Sequence, residues 1–140
     1  MTELINTVAV RAVRGAVQVD RDTPELIAAA TRGLLVEVMA RNRLVPDDLI
    51  SILFTVTGDL ASGFPAAAAR TLGLADVPLL CATEIEVPGS LPRVVRLLAH
   101  VETILPRSAV QHVYLRGAAA LRPDLVRTEP INGDRTPQPW

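Results

Sequence analysis

Leu26, Ile27, Ala30, Leu34 and Val38 recur at helical spacing directly behind Asp20-Arg-Asp-Thr-Pro-Glu25. That pattern predicts an amphipathic helix reaching about Arg41, because apolar side chains three and four residues apart share one face. Thr23 is suited to the N-cap, Pro24 to the first helical position and Glu25 to the positive first turn. The helix is flanked by two extended apolar runs, from Val8 to Val19 and from Leu49 to Thr57, rich in the small and β-branched residues that suit strands. Two strands joined by a helix suggest a right-handed βαβ crossover. Alternation along the first strand puts Val8, Val10, Ala12 and Arg14 on one side and Ala9, Arg11 and Val13 on the other. Arg14 then has two readings, a guanidinium led to water by a bend at Gly15 or one pointing into a cleft to bind a carboxylate.

Farther along, Asp47-Asp48 suits a brief turn, and a loop from Gly58 feeds a second helix that starts near Pro65 and stops at Gly73. Phe64, just ahead of it, fits either a hydrophobic staple or a cover for a ligand. Arg70 lies where a helix C-terminus favours a cation in any case. Val77 to Ala82 reads as a short strand, near a sheet edge because of Pro78. Cys81 to Arg96 gathers the single cysteine, the carboxylate Glu84 and two arginines where a strand ends, a common location for function. Ser90 is a plausible cap for a third helix whose apolar arc holds Leu91, Val94, Val95, Leu97, Leu98 and Val101; the same wheel turns Arg93, Arg96 and His100 to solvent. Val110 to Leu115 reads as a strand with His112 and Tyr114 on one face, and Ala118 to Leu121 as a further extended run. Residues 1–127 are expected to form a single domain, and the Pro-rich residues 128–140 a mobile tail.

Charge and cysteine usage narrow the function. A net charge of −1 lacks the broad basic field that nucleic acid or an anionic membrane surface requires, and no run approaches the ~18 apolar residues of a membrane span. The N-terminus carries Glu3 without a basic-then-apolar segment, so no secretion signal is expected and the cytoplasm is the expected compartment. One cysteine excludes an internal disulfide, and His100 and His112 lack the company of thiols that a zinc site needs. No metal and no cofactor is expected. All 14 basic residues are arginine. No local Ser/Cys–His–Asp signature or phosphate-cradling glycine loop is present. What remains is an arginine set with one carboxylate, one thiol and one tyrosine near strand ends, suited to binding and polarising a small anion.

Arg-Ala-Val-Arg-Gly-Ala at 11–16, Asp-Arg-Asp-Thr at 20–23, Phe-Pro-Ala at 64–66, Cys-Ala-Thr-Glu at 81–84, Arg96, His-Val-Tyr-Leu at 112–115 and Leu-Arg-Pro-Asp-Leu at 121–125 follow in that order. Together they resemble the monofunctional trimeric chorismate mutases of the Bacillus type, over roughly Val10 to Leu125. The resemblance implies an α+β fold related to the ferredoxin-like arrangement, with a mixed sheet covered by helices. It also implies a homotrimer with a barrel-like core and active sites at subunit boundaries. The implied reaction is the rearrangement of chorismate to prephenate, a step toward phenylalanine and tyrosine.

By the same resemblance Arg96 faces the substrate's ether oxygen, Arg14 binds a carboxylate and Tyr114 donates nearby. Glu84 accepts from the ring hydroxyl with Cys81 beside it, Phe64 and Arg70 come from the adjacent subunit, and Arg122 closes the mouth. The chain departs from the family at Ala67, where well-known members carry a lysine. Two rival readings are a trimeric imine deaminase and a non-catalytic trimeric anion-binding module.

Overall fold

The computed structural model describes residues 7–125; the expected tail at 128–140 lies outside them. Five strands form one mixed sheet among the described residues: β1 (Ala9–Gln18), β2 (Leu49–Val56), β3 (Leu79–Thr83), β4 (Val94–Thr103) and β5 (Val113–Leu115), in the spatial order β3-β2-β4-β1-β5. Helix α1 (Pro24–Arg41) begins as expected, with the Thr23 hydroxyl accepting from the Leu26 amide at 3.1 Å and Pro24 in the first turn. It buries Ile27, Ala30, Leu34, Leu35 and Val38 against one face of the sheet. A shorter helix, α2 (Pro65–Arg70), packs beside α1, and the chain leaves it through Gly73, whose φ of +82° suits glycine.

The crossover differs from the direct form that the sequence suggests. Strands β1 and β2 each pair antiparallel with β4, so they are parallel to one another with β4 inserted between them. β3 and β5 add in parallel at the two edges, alongside β2 and β1 respectively.

That insertion corrects the expected third helix: from Val94 to Thr103 the chain is a ten-residue strand. Val95, Leu97, Ala99 and Val101 join the core beneath the helices, while Arg96, Leu98 and His100 stand on the opposite face. The apolar positions satisfy both a helical arc and a two-residue alternation, and pairing on both sides decides between them. Asp59 and Thr57 hold the strand's entrance: the Asp59 carboxylate accepts the Arg93 amide with both oxygens at 3.1 Å, and the Thr57 hydroxyl accepts the Val94 amide at 2.9 Å.

Two smaller corrections concern the end of the described chain. The last strand starts at Val113 rather than Val110, and Arg116–Leu121 is a 3-10 turn instead of an extended run. Ala118 in that turn packs with Ala16, Val94 and Tyr114, forming a second apolar cluster on the sheet face away from α1.

Core packing is tight where α1 meets β1. A methyl group added at Gly15 would stand 3.1 Å from the Leu34 Cδ1 atom and 3.3 Å from the Val113 carbonyl oxygen, so glycine is what admits this approach. Leu34 itself is fully buried. Leu34→Ala is expected to cost about 2–5 kcal/mol of stability through the cavity it leaves, read as a lower urea midpoint at fixed protein concentration. A loss below about 1 kcal/mol would contradict this packing.

Candidate active site

The sheet face away from α1 is where the polar residues converge. Tyr114 of β5 pairs with Ala16 of β1, Ala16 with Arg96 of β4, and Arg96 with Thr55 of β2, so one rung across four strands carries all these side chains on one face. Arg14 stands on that face two residues from Ala16. With Leu53, Thr55, Arg96 and Leu98 it lines a cavity of about 300 Å³. Arg14 thus lines a cavity on this face.

Arg96 is not on a solvated surface. Its side chain is 14% exposed and its Nε lies 2.9 Å from Oε2 of Glu84, itself 17% exposed. A guanidinium removed from water to this degree needs a paired carboxylate, since an isolated buried charge costs several kcal/mol. Glu84 sits one residue past β3, its amide donating to the Val56 carbonyl at 2.9 Å. The Thr55 hydroxyl donates to the same Oε2 atom at 2.7 Å, which holds the carboxylate against Arg96. Thr55 escaped the sequence reading. Its signal was there, as a polar residue alternating with Phe54 and Val56 in an otherwise apolar strand.

Tyr114 is buried, and burial pushes its phenol up to about 12 against the opposing pull of Arg14, Arg122 and Arg96. Three guanidinium groups thus act on one hydroxyl, which stays protonated and able to donate. Arg122 is 8% exposed and grips Asp124 with two parallel bonds, Nε to Oδ1 at 3.1 Å and Nη2 to Oδ2 at 3.0 Å. That hydrogen bond, helped by the positive charge, lowers the Asp124 carboxyl from its ordinary value. The loop after β5 therefore brings Arg122 beside Tyr114 already engaged, and Asp124 is a partner that sequence reasoning did not name. His112 accepts the Arg14 amide on Nδ1 at 3.0 Å. Burial, then Arg14, then Arg122 lower its imidazole from the ordinary 6.5 to about 4, so it is neutral near pH 7.

Cys81 and Phe64 line a different cavity. Cys81 pairs with Phe54, and Phe54 with Leu97, which places it on the helix-bearing side of the sheet, opposite Glu84. The expectation that Cys81 lies beside Glu84 is thus corrected within one chain: side chains three apart in an extended segment point to opposite faces. Cys81 instead lines a cavity of about 320 Å³ at the β3 edge together with Phe64. Phe64 is 74% exposed, which excludes the staple, and Arg70 at the end of α2 is exposed as well.

No group of three or more His, Cys, Asp or Glu side chains converges to hold a metal ion among the described residues. Nor is any helix among them long and apolar enough to cross a membrane.

A family profile described as chorismate mutase type I matches residues 10–125, nearly the whole described chain. The chain belongs to the type I chorismate mutase family. Chorismate mutase AroH of Thermus thermophilus is 54% identical over 117 residues, covering 83% of this chain and 96% of the relative. Chorismate mutase AroH of Bacillus subtilis is 40% identical over 121 residues, covering 86% and 95%. Among solved structures, a chorismate mutase from Clostridium thermocellum superposes with a TM-score of 0.78 at 47% identity, over 79% of this chain and 99% of that one. The α+β fold is therefore that of the family.

The depressed His112 value makes a pH prediction. Between about 4 and 6.5 the unfolded chain binds a proton at this position that the folded chain refuses, so stability rises with pH across that window and falls as pH drops through it. The imidazole of His112, followed by NMR, is expected to titrate near pH 4, and His112→Gln is expected to flatten the stability loss between pH 6.5 and 4. A midpoint near 6.5 would contradict the buried, cation-flanked placement.

Proposed function

We infer that this chain is a chorismate mutase, an isomerase that rearranges chorismate to prephenate in aromatic amino-acid biosynthesis. The observation that carries the chemistry is the Arg96 guanidinium, fixed by Glu84 and Thr55 in a cavity it shares with Arg14. A one-substrate pericyclic rearrangement needs no nucleophile or general base. It needs a flexible dianion held in its compact reactive shape, and a cation waiting where negative charge grows on the ether oxygen.

In this reading Arg96 points at the ether oxygen and stabilises the transition state more than the ground state. Arg14 binds a substrate carboxylate and Tyr114, kept protonated, donates nearby. Arg96 and Thr55 both contact Oε2 of Glu84, so Oε1 is the oxygen offered to the ring hydroxyl. Arg122 closes the mouth, and its bond to Asp124 sets the direction from which it approaches. No cofactor takes part.

Phe64, Arg70 and Cys81 complete the site from an adjacent subunit of a homotrimer whose sheets form a barrel-like core. Two features support this. The two groups of site residues lie on different sides of the sheet in one chain, so a site using both requires two chains. The sheet face away from the helices presents Val10 and Leu80 more than half exposed, beside Leu53 and Leu98, the apolar character expected of an interface core. Ala67 lies one turn before Arg70 on α2, so dianion entry relies on arginine there. The cytoplasm is the proposed compartment. Neither the imine deaminase nor the non-catalytic module draws support from the relatives, which are named as chorismate mutases.

Incubating the purified protein with chorismate and following prephenate tests the reading, and no acceleration over buffer would overturn it. Arg96→Ala is expected to lose at least ~10²–10³-fold in turnover, as for removal of one oxyanion donor, with assembly unchanged by sedimentation. Near-normal turnover in that variant would remove Arg96 from its role.

A further inference from the structure

Strand β1 is longer than the neighbour on its outer edge. Its ladder with β4 runs unbroken from Ala9 to Gln18, while β5 pairs only with Gly15 to Val17. The first half of β1 therefore borders a notch instead of a strand. Amides alternate in direction along a strand. The amide of Val19 donates toward the β4 side, to the Arg93 carbonyl at 2.7 Å, and the amide of Arg14 donates the other way, to His112. By that alternation the amides of Ala12 and Val10 also point into the notch.

Two guanidinium groups, of Arg11 and Arg107, flank these amides. Arg11, His100, Arg107 and His112 line the notch, a cavity of about 390 Å³, together with Val110. Arg11 is held by its Nε, which donates to the Leu105 carbonyl at 3.1 Å, with its terminal nitrogens left to other acceptors. Among the described residues, neither Arg11 nor Arg107 is in an ion pair. Glu102, facing Val10 across the β1–β4 ladder, is exposed and does not line the cavity.

We propose that this notch is a second anion site, binding a small oxyanion of the phosphate or carboxylate class through the Val10 and Ala12 amides and the guanidinium groups of Arg11 and Arg107. Backbone amides at a sheet edge with flanking guanidiniums make an anion-binding concavity. The notch shares no lining residue with the cavity of Arg14 and Arg96. His112 joins the two, lining the notch while accepting the Arg14 amide, so an occupant would bear on the strand residue that carries Arg14. The inference does not rest on the proposed activity.

The test titrates the full chain with inorganic phosphate, and separately with malonate, at low ionic strength, following backbone amide shifts by NMR. Saturable shifts at the Val10 and Ala12 amides are expected with at least one of the two anions. Arg107→Ala, which removes an exposed side chain, is expected to weaken that binding roughly tenfold, the loss of one charge-assisted bond; Arg107→Glu should abolish it. Absence of saturable shifts at Val10 and Ala12, shifts confined to the surroundings of Arg14 and Arg96, or unchanged binding in Arg107→Glu would overturn the proposal.

Discussion

Strand β4 is hydrogen-bonded on both sides, and its insertion between β1 and β2 is the constraint from which the candidate site follows. A strand with two neighbours cannot rotate its side chains out to water as a surface helix can. Its even-numbered residues are committed to one face, and that sets Arg96 between Ala16 and Thr55. Desolvating a guanidinium there is tolerable because Glu84 stands at 2.9 Å and is itself held by Thr55. Asp59 and Thr57 then pin the strand's entrance, where Arg93 has a φ of +53°. Their bonds act on the main chain three and two residues before Arg96 and fix where the strand begins.

The electrostatics of the face follow from this order. Arg14, Arg96 and Arg122 all act on Tyr114, while Glu84 and Asp124 each hold one of those arginines. Cations held by carboxylates keep their direction when an anion arrives, which is what preorganised stabilisation requires. The His112 ring, neutral near pH 7 because of burial and the same cations, fixes the Arg14 main chain without adding charge. Positioning is thus done largely by neutral or paired groups, and in the proposed reading the net positive field is left to the substrate.

Much of the frame was legible in the sequence because local signals were strong and mutually consistent. Thr23-Pro24-Glu25 announces the start of α1, and its apolar spacing places the buried face. Alternation in β1 puts Arg14 opposite Val13, as found. The ordered short motifs pointed to the family. The error at β4 has a physical cause: Val94, Val95, Leu97, Leu98 and Val101 fit both periodicities, and what selects the strand is hydrogen bonding to β1 and β2, which are distant in sequence. The wheel then misplaced Arg96. Thr55 and Asp124 were missed because their roles exist only through partners, Glu84 across a β2–β3 pairing and Arg122 two residues back, just ahead of a 3-10 turn. Cys81 shows the converse, since alternation from Cys81 to Glu84 already separates their faces.

The proposal that one site is built from two chains can be tested by mixing variants. Arg96→Ala and Arg70→Ala would each be purified, unfolded together and refolded into mixed assemblies, with turnover of chorismate as the readout. If Arg96 and Arg70 meet across a boundary, each variant alone is weak and the mixture recovers activity, at about a quarter of the sites for random assembly. Mixed assemblies, verified by native mass spectrometry, that show no more activity than the separate variants would contradict it.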